Sequence, residues 1–276
     1  MGRRILAAVI CLPLIGVMFY FDWAAFLFYL AIIGITCMSV WEMRKILRPK
    51  NLTVNFPLGI IGALALLLEA HFTRMDNALL VMGACTCIAL ATRLKRRISG
   101  AAADVAVTVF TIAYVGIPMA SLLRVFNVGP QGEAWLLLML STVWVTDSMA
   151  LIVGKNFGKH KMSPEVSPNK TWEGAIGGTL GSLIVPLVTY YFFRGHYLGV
   201  TLLEMLLFTL LCSLIAQFGD LGESLLKRDT GVKDSGSKWT GHGGFLDRMD
   251  AILFTAVALL IYLKIMHPTI LEAAVS

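Results

Sequence analysis

The chain has 276 residues, of which 57% are hydrophobic and only 14% charged, and its formal net charge is +6. That apolar share exceeds what soluble domains carry and excludes an ordinary globular or disordered protein. Continuous apolar runs without two-residue alternation also exclude a spanning β-barrel, so the expected fold is an all-α, polytopic integral membrane protein.

Nine apolar runs follow in order, at residues 5–21, 23–41, 54–70, 77–92, 102–119, 133–153, 174–193, 200–219 and 250–266. Most approach the ~20 residues that cross ~30 Å of hydrocarbon as helix. The first is expected to stay as a span rather than leave as a secretory leader. Phe19-Tyr20-Phe21-Asp22-Trp23 offers no small-residue cleavage site, and another run follows at once. With the N-terminus in the cytoplasm, 19 of the 23 basic residues fall on inner segments, leaving Arg74, Arg124, Arg194 and Lys264 outside. This bias predicts nine spans with the N-terminus inside and the C-terminus outside. The positive charge then belongs to a surface facing anionic lipid, and no nucleic-acid partner is needed to account for it. All five cysteines lie within apolar runs and read as small buried hydrophobes.

Residues 1–130 read as anchoring helices that pack and shape a cavity, with Glu69 and Asp104 near predicted helix ends. Residues 131–276 read as the catalytic region. Asp147 lies inside the sixth run, about two turns before its cytoplasmic edge. An acid there is costly enough that lining a site competes with a structural pairing. The segment S-P-N-K-T-W-E-G-A-I-G-G at 167–178 comes next. Ser167 or Thr171, with Glu173, can open the seventh helix, which puts Lys170 beside an anion-favouring N-terminus. Lys170, Ser167 and Thr171 then make either a phosphate cradle or a plain helix start with a solvated lysine. Gly174, Gly177, Gly178 and Gly181 form two overlapping G-x-x-x-G spacings, which predict close helix packing that brings this loop against the next cytoplasmic segment.

The densest charge lies between Asp220 and Asp250, where Asp220, Glu223, Asp229, Asp234, Asp247 and Asp250 mix with Lys227, Arg228, Lys233, Lys238 and Arg248. Ionisable groups near lipid need partners, and phosphates and metal ions are the obvious ones. If the eighth helix continues past the membrane, Asp220, Glu223 and Lys227 share one face, and Asp247 and Asp250 share another a turn apart. Two carboxylate-bearing helix ends joined by a Gly-rich connector suit Mg²⁺, which takes one or two carboxylates plus waters and substrate phosphates. Gly243, Gly244 and the other connector glycines allow close backbone approach to phosphate. His242, set between glycines, contacts phosphate or base or orders the loop. Metal-assisted phosphoryl or nucleotidyl transfer is the chemistry this pattern suits.

At these residues the chain resembles the phosphatidate cytidylyltransferase (CDP-diacylglycerol synthase) family. Its signature, roughly S-x-x-K-R-x4-K-D-x-G-x-x-x-P-G-H-G-G-x-x-D-R-x-D, is matched at Ser224, Lys227, Arg228, Lys233, Asp234, Gly236, Gly241, His242, Gly243, Gly244, Asp247, Arg248 and Asp250. The upstream S-P-x-K-T-x-E-G element and the stretch from Asp147 belong to the same resemblance, which covers about residues 140–266. It implies a membrane nucleotidyltransferase of phospholipid biosynthesis, at the inner membrane, that converts CTP and phosphatidic acid to CDP-diacylglycerol and pyrophosphate. It also implies that Asp220 and Asp247 hold Mg²⁺, with a second, monovalent cation such as K⁺ allowed. Glu223, Asp234 and Asp250 would support that centre, and Lys227, Arg228, Lys233 and Arg248 would neutralise phosphate. A homodimer is implied in the same way. Where the family has an aliphatic residue then Pro, this chain has Trp239 and Thr240; Leu151 replaces another family aromatic. No carboxylate or cation is lost, so activity is expected to survive.

Three other readings stand beside this one. They are a cytidylyltransferase for another lipid phosphate or a CTP-dependent polyprenol kinase, a low-turnover relative, and a transporter. The last is disfavoured because transporters place binding residues near the midplane, whereas these charges gather at helix ends. Cysteine labelling in intact cells should find segments 155–173 and 220–250 protected from an impermeant reagent and the C-terminus accessible. Outer labelling of residue 237 would overturn the topology.

Overall fold

The computed structural model describes residues 25–73, 75–94, 98–192, 200–232 and 244–272. In chain order the helices are α1 (Ala25–Leu47), followed by a short 3₁₀ turn Arg48–Lys50, then α2 (Phe56–Phe72), α3 (Ala78–Arg93) and α4 (Ala101–Thr111). A π turn at Ile112–Gly116 leads into α5 (Ile117–Phe126), and α6 (Pro130–Phe157) comes next. Strands β1 (Lys161–Ser163) and β2 (Ser167–Thr171) precede α7 (Trp172–Ser182), α8 (Ile184–Phe192), α9 (Leu202–Asp229), α10 (Leu246–Met266) and α11 (Pro268–Glu272). Eight of the nine expected apolar runs are thus helical, and the first, 5–21, lies outside the described residues. Among the described residues, six helical stretches are long and apolar enough to cross a membrane, while α2 and α3 are shorter apolar helices. Large apolar side chains such as Leu79, Leu80, Leu94 and Ile98 stand exposed, as lipid-facing surfaces do. The protein is an all-α polytopic membrane protein with one small hairpin.

That hairpin departs from the expected loop. Lys161 lies opposite Thr171 and Ser163 opposite Ser167 in an antiparallel pair. Ser163 and Ser167 each precede a proline, which disfavours helical backbone and drives both toward extended geometry. Helix α7 therefore starts only at Trp172, with the Thr171 hydroxyl capping it by accepting from Gly174 N at 3.2 Å.

Two compact units divide the chain. One holds Val125–Leu221 together with the stretches that end at Phe28 and begin at Ala258. Within it α7 lies directly on α6 through the expected glycines. A Cβ on Gly178 would stand 2.8 Å from the Thr146 carbonyl oxygen, and one on Gly174 2.8 Å from that of Ala150. A polar ladder adds to this packing. Thr146 and Ser213 hydroxyls are 3.1 Å apart, Ser213 donates to Thr179 at 3.1 Å, and Gln217 donates to Thr179 at 2.9 Å. Further along, fully buried Trp135 packs with Phe208, Tyr262 and His267, and the Tyr262 hydroxyl donates to Glu204 at 2.9 Å.

The other unit comprises Tyr29–Arg124 and Gly222–Val257. Its core includes Met43, Ile46, Leu66, Ile112 and Leu246. The π turn has a local cause: Pro118 offers no N–H to the Tyr114 carbonyl four residues back, and its ring crowds that carbonyl. Asp104, in this unit, pairs with Arg93 at 3.0 Å and accepts from Thr53 N at 2.7 Å, while Glu69 accepts from the Thr73 hydroxyl. Both acids thus serve local structure. Cys85 and Cys212 are buried as expected, whereas Cys37 is half-buried and Cys87 is exposed.

Gly178→Ala should lower the thermal stability of the detergent-solubilised protein by about 1–3 kcal/mol, the usual cost of overpacking. The added carbon meets backbone, which cannot swing aside. Gly83→Ala, with open space around its Cβ, should leave the melting temperature unchanged or slightly raised.

Candidate active site

The first charged cluster lies in the unit containing Val125–Leu221. Lys170, near the end of β2, reaches Asp220 Oδ2 on α9 at 2.7 Å. Two residues 50 positions apart in sequence are therefore brought together, as the glycine spacing on α7 predicts. Glu173, in the first turn of α7, accepts from Lys159 N at 3.1 Å and His160 N at 3.2 Å, and lies 2.6 Å from His160 Nδ1. These bonds brace the turn before β1. Ser167 is half-buried on β2, and Thr171 is buried with its hydroxyl used as the α7 cap. Asp147 is exposed on α6.

The second cluster belongs to the other unit, where the last turns of α9 meet the start of α10. Lys227 Nζ stands 2.6 Å from Asp247 Oδ1 and 3.4 Å from Glu223 Oε2. Asp247 Oδ2 accepts from Gly244 N at 2.8 Å, so the backbone before α10 folds onto the motif's own carboxylate. Glu223 is wholly buried, and neither of its oxygens has a hydrogen-bond partner among the described residues. Asp250 and Asp247 lie near enough to Glu223 for their charges to act on it. Glu223, Asp247 and Asp250 are thus gathered where α9 and α10 meet, with Lys227 paired to the first two, and buried acids so grouped need cationic partners. Arg228 and Arg248 are exposed on the same helix ends. Lys233, Asp234, His242 and Gly243 lie outside the described residues, as do Lys238, Trp239 and Thr240.

No group of three His, Cys, Asp or Glu side chains is arranged as a metal cage among the described residues. Mg²⁺ seldom uses an all-protein cage; it takes one or two carboxylates and completes its shell with water and substrate phosphate. The buried, unbonded oxygens of Glu223 beside Asp247 are donors of that kind.

One residue of this site is absent from the motif. Glu42, buried on α1, accepts from Phe245 N at 3.0 Å and Leu246 N at 2.7 Å. Its carboxylate satisfies two free N–H groups at the N-terminus of α10 and also suits the helix dipole there. It thereby fixes the turn that carries Asp247. An acid in the run W-E-M-R-K looks like an ordinary interfacial charge beside two cations, and only a contact over 200 residues away reveals its role.

Glu42→Ala should destabilise the protein by about 1–3 kcal/mol, because it strands the buried Leu246 N–H and the part-buried Phe245 N–H. Glu42→Gln, keeping one acceptor oxygen, should lose less. Thermal unfolding in detergent measures both; equal stability of all three proteins would remove the capping role.

The sequence pattern of the Cytidylyltransferase family matches residues 2–266. Among similar curated proteins, the phosphatidate cytidylyltransferase of Staphylococcus saprophyticus is 44% identical over 151 residues, 55% of this chain and 56% of the relative. The proteins of that name from Staphylococcus haemolyticus and Staphylococcus aureus strain COL are 46% and 45% identical over the same share. The matched stretch thus spans about half the length of these relatives. With the family pattern running over nearly its whole length, this chain belongs to the cytidylyltransferase family.

Proposed function

We propose that the protein is a phosphatidate cytidylyltransferase: CTP and phosphatidic acid give CDP-diacylglycerol and pyrophosphate. The observation that carries this reading is the Glu223–Lys227–Asp247 cluster, a lysine between a carboxylate pair of which Glu223 is wholly buried and has no hydrogen bond among the described residues, in a member of the cytidylyltransferase family. The 44–46% identity to proteins named for this reaction supports it.

In the proposed reaction an oxygen of the lipid phosphate attacks the α-phosphorus of CTP. A new P–O bond forms, the bond to the β-phosphate oxygen breaks, and pyrophosphate leaves with the electron pair. Asp247 with Glu223 would hold Mg²⁺, and the family resemblance adds Asp220; when bound, the ion would supply charge stabilisation for the transferring phosphate. Lys227 orients Asp247 through its 2.6 Å contact. Lys170, held by Asp220, is the proposed cation for a substrate phosphate. Such a transfer asks little covalent chemistry of the protein, since positioning and electrostatics carry most of it. Asp250, Arg228, Arg248, Lys233, Asp234, His242, Gly243 and Gly244 keep the supporting roles that the resemblance implies. Ser167, Thr171, Glu173 and Asp147 are proposed for the substrate side.

The active site is proposed to face the cytoplasm, supported by the distribution of basic residues, and K⁺ and a homodimer rest on the resemblance alone. The test uses the full chain in detergent with radiolabelled CTP, Mg²⁺ and a panel of lipid phosphates. Phosphatidic acid should be the preferred acceptor, and preference for a polyprenol or another lipid phosphate would replace the reading. Asp247→Asn and Asp220→Asn should each reduce turnover by at least about 100-fold while remaining folded and membrane-inserted. Near-normal activity of either at limiting Mg²⁺ would refute that residue's metal role.

A further inference from the structure

The π turn at Ile112–Gly116 carries Tyr114, whose hydroxyl oxygen is buried and has no hydrogen-bond partner among the described residues. The ring itself is held firmly. It stacks on Phe110 with centroids 5.3 Å apart and meets the edge of Phe254 at 6.2 Å. Glu223 and Asp250 lie close enough for their charges to act on the phenol oxygen. The hydroxyl thus faces the side of the unit that carries these two acids, without a hydrogen bond to either. A buried hydroxyl left unbonded is costly, because it has given up its water without a replacement. The π turn that delivers it costs regular helix hydrogen bonding, and such turns recur at functional sites. Pro118 enforces the turn, so the placement of Tyr114 is written into the sequence.

We propose that the Tyr114 hydroxyl is a substrate-facing hydrogen-bond donor of this site, which takes a phosphate oxygen of the nucleotide or of the lipid phosphate. The inference rests on the cytidylyltransferase reading above. A neutral donor fits here where another lysine or arginine would not. It gives the phosphate a directed bond without neutralising the carboxylates needed for a divalent cation. Its rigid ring also holds the donor in place before substrate arrives, so little ordering entropy is lost on binding.

The experiment compares wild type with Tyr114→Phe, which removes only the oxygen. Three quantities are read: thermal stability, kinetics with CTP and phosphatidic acid varied separately, and equilibrium binding of radiolabelled CTP in Mg²⁺ without lipid. The melting temperature should be unchanged, whereas Tyr114→Leu, which loses the ring contacts, should melt lower. Turnover per KM should fall on the order of 10- to 100-fold, the range for losing one hydrogen bond to a charged group. Weaker CTP binding assigns the bond to the nucleotide, and unchanged CTP binding with a raised KM for phosphatidic acid assigns it to the lipid. Kinetics and binding within twofold of wild type would overturn the inference, as would a Tyr114→Phe protein that fails to fold. If wild type binds CTP but does not transfer it to phosphatidic acid, the functional reading falls while the binding comparison still decides Tyr114. A wild type that does not bind CTP removes both.

Discussion

A charge or a free backbone N–H in hydrocarbon has no water to fall back on, and each must find its partner within the protein. Nearly every feature of this structure follows from that. The spans are helical because helix satisfies the backbone internally. Their polar side chains turn to one another, as in the Thr146–Ser213–Thr179–Gln217 ladder, or back to their own helix, as Thr108 does to the Asp104 carbonyl. The acids and bases appear as pairs: Lys170 with Asp220, Lys227 with Asp247, Arg93 with Asp104. Against that background Glu223 stands out. It is wholly buried and faces Lys227 at 3.4 Å, yet neither of its oxygens has a hydrogen bond among the described residues.

Small residues determine how closely the helices can approach. Between α6 and α7 no side chain intervenes at Gly174 or Gly178, so a carbonyl of one helix meets the bare Cα of the other. This closeness is what lets the short hairpin after α6 return Lys170 to α9. The hairpin itself is a consequence of two prolines placed four apart, which deny helix to Ser163 and Ser167 and leave an extended pair as the alternative.

The helical spans were legible because continuous apolar runs leave few options for the backbone, and the Glu223–Lys227 pair was legible because its spacing matches a helix turn. The glycine stripe was also readable, since its spacing has one common use in membranes. What could not be read depends on contacts distant in sequence. Glu42 lies in a run of interfacial charges with nothing to mark it, and Tyr114 is one aromatic among many in an apolar span. The hairpin was missed because Thr171 and Glu173 resemble a capping pair. Thr171 does cap α7, but Glu173 turns instead to Lys159 and His160. Asp104 and Glu69 show the converse: an acid near a span invites a functional role, and here both close local structure.

The Glu42 cap has an evolutionary side. The D-R-M-D motif reads as self-contained, yet the turn on which it sits is held by a carboxylate from the opposite end of the chain. A lineage that loses the acid at position 42 must find another acceptor for the same two N–H groups, or let the start of α10 drift. Positions 42 and 244–247 should therefore change together or not at all. A chimera that joins the N-terminal helices of one homologue to the motif region of another would inherit the chemistry but not the brace that aligns it.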